Sequence, residues 1–367
     1  MAGIPETMRS LVAPTKCEPA GFEVWDVPTP AITDPRQVLI RVQACAINTG
    51  EVQMAGGGLG IFHKPQYPLP IGQEGSGVVV AVGSQVTTLR AGDEVYGISV
   101  EKPMFRGPPP ALASQYALVK ENLLLPKPAH LSFEGAASLS ATVTTAYQTI
   151  RRGLRRRGES SLEGRTVFVP AGLSSTGSVM IQVAKKVFGA ARIITTVSTP
   201  KVGLVDEYLP GLVDQVVDYK TQRVEDEVPR GSVDYMLNTQ WGSLAGGIPL
   251  LNPKTGVLMS IASVPSRETV REMVGGDRFP WWLGVALGLA QLYYKWKLRG
   301  TSIEYEMVSG SPDVREDLER AGEIVALGQV RPVVRVVDLE DLEAVRKGCG
   351  EVFTSKGGLG KLVVRIP

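Results

Sequence analysis

Residues 166–186, TVFVPAGLSSTGSVMIQVAKK, constrain this chain more than any other stretch. A short apolar run (Val167, Phe168, Val169) leads into small residues from Ala171 to Gly177, and Val179, Ile181, Val183 and Ala184 then supply an apolar helical stripe. Buried strand, tight turn, helix is the layout of a dinucleotide site. There a pyrophosphate rests on the free N–H groups and positive dipole end of the helix. The usual Gly-x-Gly-x-x-Gly is degraded to Ala171, Leu173 or Ser174, and Gly177, depending on register, so the motif alone has low specificity. The expected cofactor contacts along this turn are Ala171, Ser174, Ser175, Thr176 and Gly177.

At 367 residues the chain is too long for one compact core and suits two domains. Its 39 Lys and Arg against 37 Asp and Glu give a formal net charge of +2, which offers no reason to expect a nucleic-acid partner. The one basic cluster, Arg151, Arg152, Arg155, Arg156 and Arg157, lies in a glycine-containing segment and reads as a solvated loop, with a surface for an anionic partner as the alternative. Three widely separated cysteines, Cys17, Cys45 and Cys349, provide neither a disulfide framework nor a metal knuckle, so a reducing compartment is expected. The opening MAGIPETMRSLVAP lacks the apolar core of a secretory signal and is poor in Arg and Ser for a transit peptide, so the expected location is the cytoplasm, with mitochondria kept open. The segment from Pro280 to Trp296, PWWLGVALGLAQLYYKW, is almost uncharged but too short to span a membrane. It reads as a buried helix or a cap over a pocket, with interfacial membrane contact as the alternative.

From Glu23 to about Lys127 the chain is rich in Gly, Pro and short β-type runs such as QVLIRVQACAI, GSGVVVAVGS and DEVYGI. Residues 131–150 change to helical character, with Ser132 as N-cap. Beyond that boundary strands and helices alternate: TVFVP, the helix ending near Lys186, ARIITTVS, DQVVDY, VDYMLN and GVLMSIAS. Such alternation predicts a parallel sheet with helices on both faces. There follow an extended run IEYEMV, a helix from about Asp313 to Leu327, VRPVVRVV, the helix LEDLEAVRKG and a final strand KLVVRI.

Taken in order, GSGVVVAVGSQVTTLRAGDEVYG, LLLPKPAHLSFEGAA, the Thr166 strand and helix, DQVVDY, LLNPKTGVLMSIAS and GLGKLVVRI resemble the medium-chain dehydrogenase/reductase superfamily along nearly the whole chain. The resemblance implies an α/β fold, a GroES-like β domain plus a Rossmann domain with a doubly wound parallel sheet. Its expected boundaries are 1–140 for the GroES-like part, 141–330 for the Rossmann part and 331–367 for the return. In zinc-dependent members a Cys and a His-Glu pair help hold the catalytic ion; the matching positions here are Asn48 and, before Glu74, Gln73. Carboxamides are poor Zn²⁺ ligands and only His63 and His130 occur in the chain, so a metal-free member is expected, with Glu74 as a structural hydrogen-bond acceptor. The chain is most similar to zinc-free quinone oxidoreductases and enoyl reductases, including the separate enoyl reductases of fungal polyketide synthases. Its 293–314 and 328–334 segments are also similar to the reticulon-interacting mitochondrial oxidoreductases.

A Rossmann unit that prefers NAD carries an acid about 20 residues past the glycine turn, on the ribose 2′-OH. This chain has none there. Ser198 and Lys201 offer a hydroxyl and an ammonium to a 2′-phosphate, and by resemblance Tyr219 joins them, so NADPH is the expected cofactor. The resemblance places the nicotinamide between the domains beside Asn238 and residues 261–263, and assigns cofactor contacts to Ile261 and Lys361 as well. Asn48, Gln53 and Thr145 are the catalytic candidates; His63, Lys64 and Tyr67 are further polar candidates in the loop after Asn48. The reading that follows is reduction of a conjugated C=C bond in an apolar α,β-unsaturated carbonyl substrate, enoyl or polyketide-type, free or carrier-bound. A quinone reductase and a non-redox binding protein or cyclase that keeps the fold are the alternatives. IEYEMV resembles the edge strand through which family sheets pair, so monomer and homodimer both stay open.

Overall fold

The computed structural model describes residues 3–58, 60, 64–104, 111–276 and 279–367. Two compact units emerge. One comprises residues up to Ala141, Pro312–Glu323 and Val334–Pro367, the other Thr142–Ser311 and Ile324–Val333. The segment Pro312–Glu323 thus belongs with the first unit rather than with the Rossmann part, because Arg315 donates to the carbonyls of Asn122 and Leu124, and Gly322 packs on Leu125.

The first unit is the GroES-like one. Its seven-stranded sheet is organised by the long strand Gln37–Ala46, which pairs antiparallel with Glu74–Val82. The early half of Gln37–Ala46 also pairs with Tyr116–Lys120, and its end with Lys361–Arg365. Register shifts after Leu39 and Val42 bend it, which lets one strand serve two partners on the same side. Gly77 sits opposite the bend: a Cβ there would lie 2.3 Å from the Arg41 carbonyl oxygen. The closing strand shows period-two burial on both faces. Leu362, Val364 and Ile366 join the main core, whereas Val363 packs with Ala44, Ala46 and Ala137 beneath the short helix Phe133–Ala137.

The second unit is a Rossmann domain. Six parallel strands run in the order Gln215–Asp218, Arg192–Val197, Thr166–Val169, Tyr235–Asn238, Val257–Ser260, Glu304–Met307, which is 3-2-1-4-5-6 along the chain. Helices flank the sheet, so its inner strands are apolar on both faces. Ile194, Phe168, Met236 and Leu258 stand in register across four neighbouring strands as one core row. Glu304–Met307 is an edge strand.

Two local expectations are corrected. The arginine cluster is the last two turns of the helix Ser140–Arg157, not a loop. Arg152 reaches Glu306 at 2.9 Å, and Arg156 bridges Glu306 at 2.7 Å and Glu304 at 3.3 Å. Gly153, which suggested a loop, lies where the helix meets the sheet: a Cβ would be 3.0 Å from Met259 Cγ. The apolar segment does form a helix, Trp281–Lys297, but much of it is exposed rather than buried.

Candidate functional site

The turn after Thr166–Val169 is held on all sides by the sheet. Thr239 Oγ1 donates to Pro170 O at 2.7 Å, Ala171 N to Thr196 Oγ1 at 3.1 Å, and Gly172 N to Thr196 O at 3.2 Å. Ala171 has φ +55°, a left-handed conformation that glycine adopts freely and alanine only at a cost. At Gly172 a Cβ would fall 2.2 Å from Thr195 Oγ1, and Thr195 is itself fixed to Val169 O at 2.6 Å. At Gly177 it would fall 2.2 Å from Ala171 O. The register is thereby settled as Gly172, Ser174, Gly177, in place of a first position at Ala171. Ser174 is the N-cap of the helix Ser175–Lys186, and its Oγ accepts from Gly177 N at 3.1 Å. The N–H groups of Ser175 and Thr176 remain at the start of a 12-residue helix, the place where backbone and dipole together favour an anion. A pyrophosphate fits a turn built this closely.

The next strand, Arg192–Val197, ends on Ser198, a residue without negative charge. Lys201 closes the following turn by donating its N–H to Ser198 O at 2.7 Å. Tyr219 N donates to Val197 O at 3.1 Å, so the sheet brings Ser198, Lys201 and Tyr219 to the carboxyl ends of two adjacent strands. The Tyr219 ring is exposed, with Lys220 Nζ 5.6 Å from its centroid. Lys220 was not among the residues singled out from sequence; its place beside Tyr219 in VVDYK was the available signal. The neighbouring Asp218 carboxylate accepts from Lys220 N at 3.0 Å.

Asn238 ends the fourth strand fully buried. Its Nδ2 donates to Ser260 Oγ at 2.9 Å and Ala262 O at 3.2 Å, its Oδ1 accepts from Ser243, and its carbonyl accepts from Ile261 N at 3.0 Å. Asn238 and Ile261 therefore meet as a brace for the loop after the fifth strand. Thr145 is half-buried on the helix Ser140–Arg157, against Gly310, where a Cβ would lie 2.3 Å from its Oγ1.

The first unit gathers a buried polar cluster. Lys361 Nζ donates to Asn48 Oδ1 at 2.6 Å and pairs with Glu74 at 3.1 Å, with both charged side chains almost wholly buried. Glu74 also accepts from Ser140 Oγ at 2.9 Å and Ala141 N at 2.7 Å, at the start of a long helix whose dipole favours an anion. Asn48 Nδ2 reaches Glu74 at 3.4 Å. Glu51, not singled out from sequence, completes the cluster: it accepts from Asn48 N at 2.5 Å and Gly72 N at 2.9 Å. Burial, aided by the nearby Glu74 charge, pushes its carboxyl up to about 7. The polar atoms of Asn48 and Glu74 are thus taken up by an ammonium and by backbone and hydroxyl donors, a set that does not suit a metal ion. Among the described residues no group of three His, Cys, Asp or Glu is placed to hold one. Gln53 is exposed on the helix Thr49–Ala55, Lys64 is exposed, and the Tyr67 hydroxyl donates to Ala55 O at 3.0 Å. His63 lies outside the described residues.

Comparison with known proteins agrees with this architecture. Residues 34–129 match the alcohol dehydrogenase GroES-like domain and residues 213–364 the zinc-binding dehydrogenase family. The chain belongs to the medium-chain dehydrogenase/reductase superfamily. More particularly, it is 39% identical over 202 residues to the 2-methylene-furan-3-one reductase of Solanum lycopersicum, covering 54% of this chain and 49% of that one. It is 37% identical over 193 residues to a chloroplastic NADPH-dependent alkenal/one oxidoreductase of Arabidopsis thaliana, covering 52% and 47%. The chain thus matches about half the length of these two relatives. The quinone oxidoreductase of Coxiella burnetii shares the fold, with a TM-score of 0.76 at 22% identity over 98% of this chain and 100% of that one.

Proposed function

We propose that the protein is an NADPH-dependent, metal-free reductase of a conjugated C=C bond in an apolar α,β-unsaturated carbonyl compound of enoyl or polyketide type, acting in the cytoplasm. The observation that carries this reading is the strand end at Ser198. A close-built phosphate turn stands on one strand, and the next ends with a hydroxyl, Lys201 and Tyr219 where an NAD-preferring unit has an acid. In this reading Ser175 and Thr176 N–H groups receive the pyrophosphate, and Ser198, Lys201 and Tyr219, with Lys220, receive the 2′-phosphate. The names of the tomato and Arabidopsis relatives, a methylene-furanone reductase and an alkenal/one oxidoreductase, support an enone as acceptor.

When bound, the reduced nicotinamide supplies a hydride to the β-carbon. The chain's task is then to hold the carbonyl so that negative charge can gather on its oxygen. Asn48 is committed to Lys361 and Glu74, which leaves Thr145 of the Rossmann unit as the side chain that orients the carbonyl. The proton for the α-carbon comes from solvent in this reading.

Titrating the purified protein with NADPH and NADH tests the cofactor, and Ser198→Asp is expected to weaken NADPH at least about tenfold by setting a carboxylate against the 2′-phosphate. NADPH consumption with an enone, an enoyl thioester and a quinone tests the reaction. Turnover of none of them overturns the redox reading. The exposed aromatic residues of Trp281–Lys297 favour the second reading, in which a quinone is the acceptor, and faster turnover of quinone than of enone decides for it.

A further inference from the structure

The helix Trp281–Lys297 has two faces of opposite fate. Gly284, Leu287 and Tyr294 are buried; Tyr294 Oη accepts from Val264 N at 3.0 Å, and Gln291 Nε2 donates to Val264 O at 2.9 Å. These contacts fasten the helix to the loop that follows the fifth strand of the Rossmann sheet. The other face is bare. Trp281, Trp282, Val285, Leu289, Leu292, Tyr293 and Trp296 are all exposed, from 47% for Trp282 to 79% for Trp281. At about 100° per residue these seven fall within one arc of about 120°, opposite the buried face. Their exposed surface is on the order of 800 Å², above the roughly 300–600 Å² of the largest patch on an ordinary monomer.

While the neighbouring helix Arg267–Val274 carries both signs, within Trp281–Lys297 itself the charge is of one sign. The helix contains no Asp or Glu, and Lys295 and Lys297 project on its two flanks. Lys297 Nζ lies 5.6 Å from the Tyr293 ring centroid and 5.2 Å from that of Trp296, and the Arg299 guanidinium lies 5.1 Å from Trp296. Aromatic rings and cations gathered at one end of an apolar arc suit the headgroup level of a bilayer, where long basic side chains turn outward to phosphate. No helix among the described residues is long and apolar enough to cross a membrane. A second copy meeting this face would bring lysine rims against a helix with no acid to pair with them.

We propose that Trp281–Lys297 is a membrane-docking helix that lies in the plane of an anionic lipid surface, with its seven exposed apolar side chains among the acyl chains and Lys295, Lys297 and Arg299 at the phosphates. The docking does not rest on the enone-reductase reading, since neither cofactor nor enone takes part in it.

The test is co-sedimentation of the full chain with phosphatidylcholine vesicles, alone or containing about one-third phosphatidylserine. The protein is expected to pellet with the anionic vesicles and to be released by high salt. Leu289→Glu with Leu292→Glu is expected to lower the bound fraction at least about tenfold, and Lys295→Glu with Lys297→Glu about fivefold or more. Circular dichroism checks that the variants fold. Brominated lipid, which quenches tryptophans that enter the acyl region, reads Trp281, Trp282 and Trp296 alone in a chain carrying Trp25→Phe and Trp241→Phe, the other two of its five tryptophans. Failure to pellet with anionic vesicles overturns the proposal, as does unchanged binding by the folded leucine variant or absence of quenching. A homodimer that the leucine variant splits, without vesicle binding by the parent, assigns the face to a second copy and overturns it too.

Discussion

Gly177→Ala probes the phosphate turn directly. The new Cβ would stand 2.2 Å from Ala171 O and 2.7 Å from Ser174 Oγ. Neither neighbour gives way cheaply: Ala171 is held in its left-handed conformation by Thr196, and Ser174 Oγ is the cap of the helix that Gly177 itself belongs to. Overpacking costs about 1–3 kcal/mol, and loss of a serine cap adds typically about 1 kcal/mol. Alanine's better helix propensity returns up to about 1 kcal/mol. The Rossmann unit should therefore lose roughly 1–3 kcal/mol, read as an earlier urea transition. Because relief of the clash moves the first turn of the helix, NADPH affinity should fall at least about tenfold in a calorimetric titration. Gly203→Ala is the control: its Cβ meets nothing within 4 Å and its φ is −67°, so both readouts should stay at the parent values. A Gly177→Ala protein with parental stability and dinucleotide affinity would refute the close-built turn.

Ala171→Gly should act in the opposite direction, since it removes a left-handed cost of about 1–2 kcal/mol against an entropic loss of about 0.5–1 kcal/mol; a small rise in melting temperature without loss of dinucleotide affinity is expected. Lys361→Met leaves Glu74 buried without its cation and should cost the GroES-like unit about 3–5 kcal/mol in denaturant, with partial recovery when Glu74→Gln is added. Glu51 gives a pH signature. Its folded carboxyl titrates near 7 while an unfolded one titrates near 4.3, so between these values the folded chain holds a proton the unfolded chain has lost. Stability should accordingly fall as pH rises through that window, by up to about 3 kcal/mol, and Glu51→Gln should flatten that slope in urea melts across it.

Much of the Rossmann unit was legible because strands buried on both faces leave apolar runs, as at Val167–Val169 and Leu258–Met259, and because small residues mark the turn. The turn's register was not. A left-handed backbone at Ala171 carries no mark in residue type, so by sequence the alanine reads as a lost glycine and Gly172, which has no room for a side chain, does not stand out. Gly153 misled in the converse way: it serves close packing inside a helix, a role that one residue letter shares with a loop. The helix Trp281–Lys297 is apolar almost all round, a composition that ordinarily signals burial, so only the structure separates its bare arc from its packed one. The buried cluster of the GroES-like unit was the least visible. Asn48 and Lys361 are 313 residues apart and meet because the final strand pairs with Gln37–Ala46.

The pattern of change in the glycine turn follows where side chains fit. Gly172 and Gly177, where a Cβ would lie 2.2 Å from a polar atom, are the fingerprint positions that remain glycine. Ser174 replaces the middle glycine at a residue with φ −76° and ψ 167°, a conformation any side chain tolerates, and there its hydroxyl caps the helix. The cost of that replacement is specific: the middle glycine ordinarily lets backbone approach the pyrophosphate, and Ser174 adds a side chain at that point while taking up the Gly177 N–H. An anion at this helix is therefore met by one fewer free backbone donor than a full glycine fingerprint offers. Ser174→Gly should restore that donor while removing the cap, so it should tighten NADPH while weakening the helix by a few tenths of a kcal/mol. Affinity and stability that fall together in the glycine variant would show instead that the capped serine is the arrangement the turn requires.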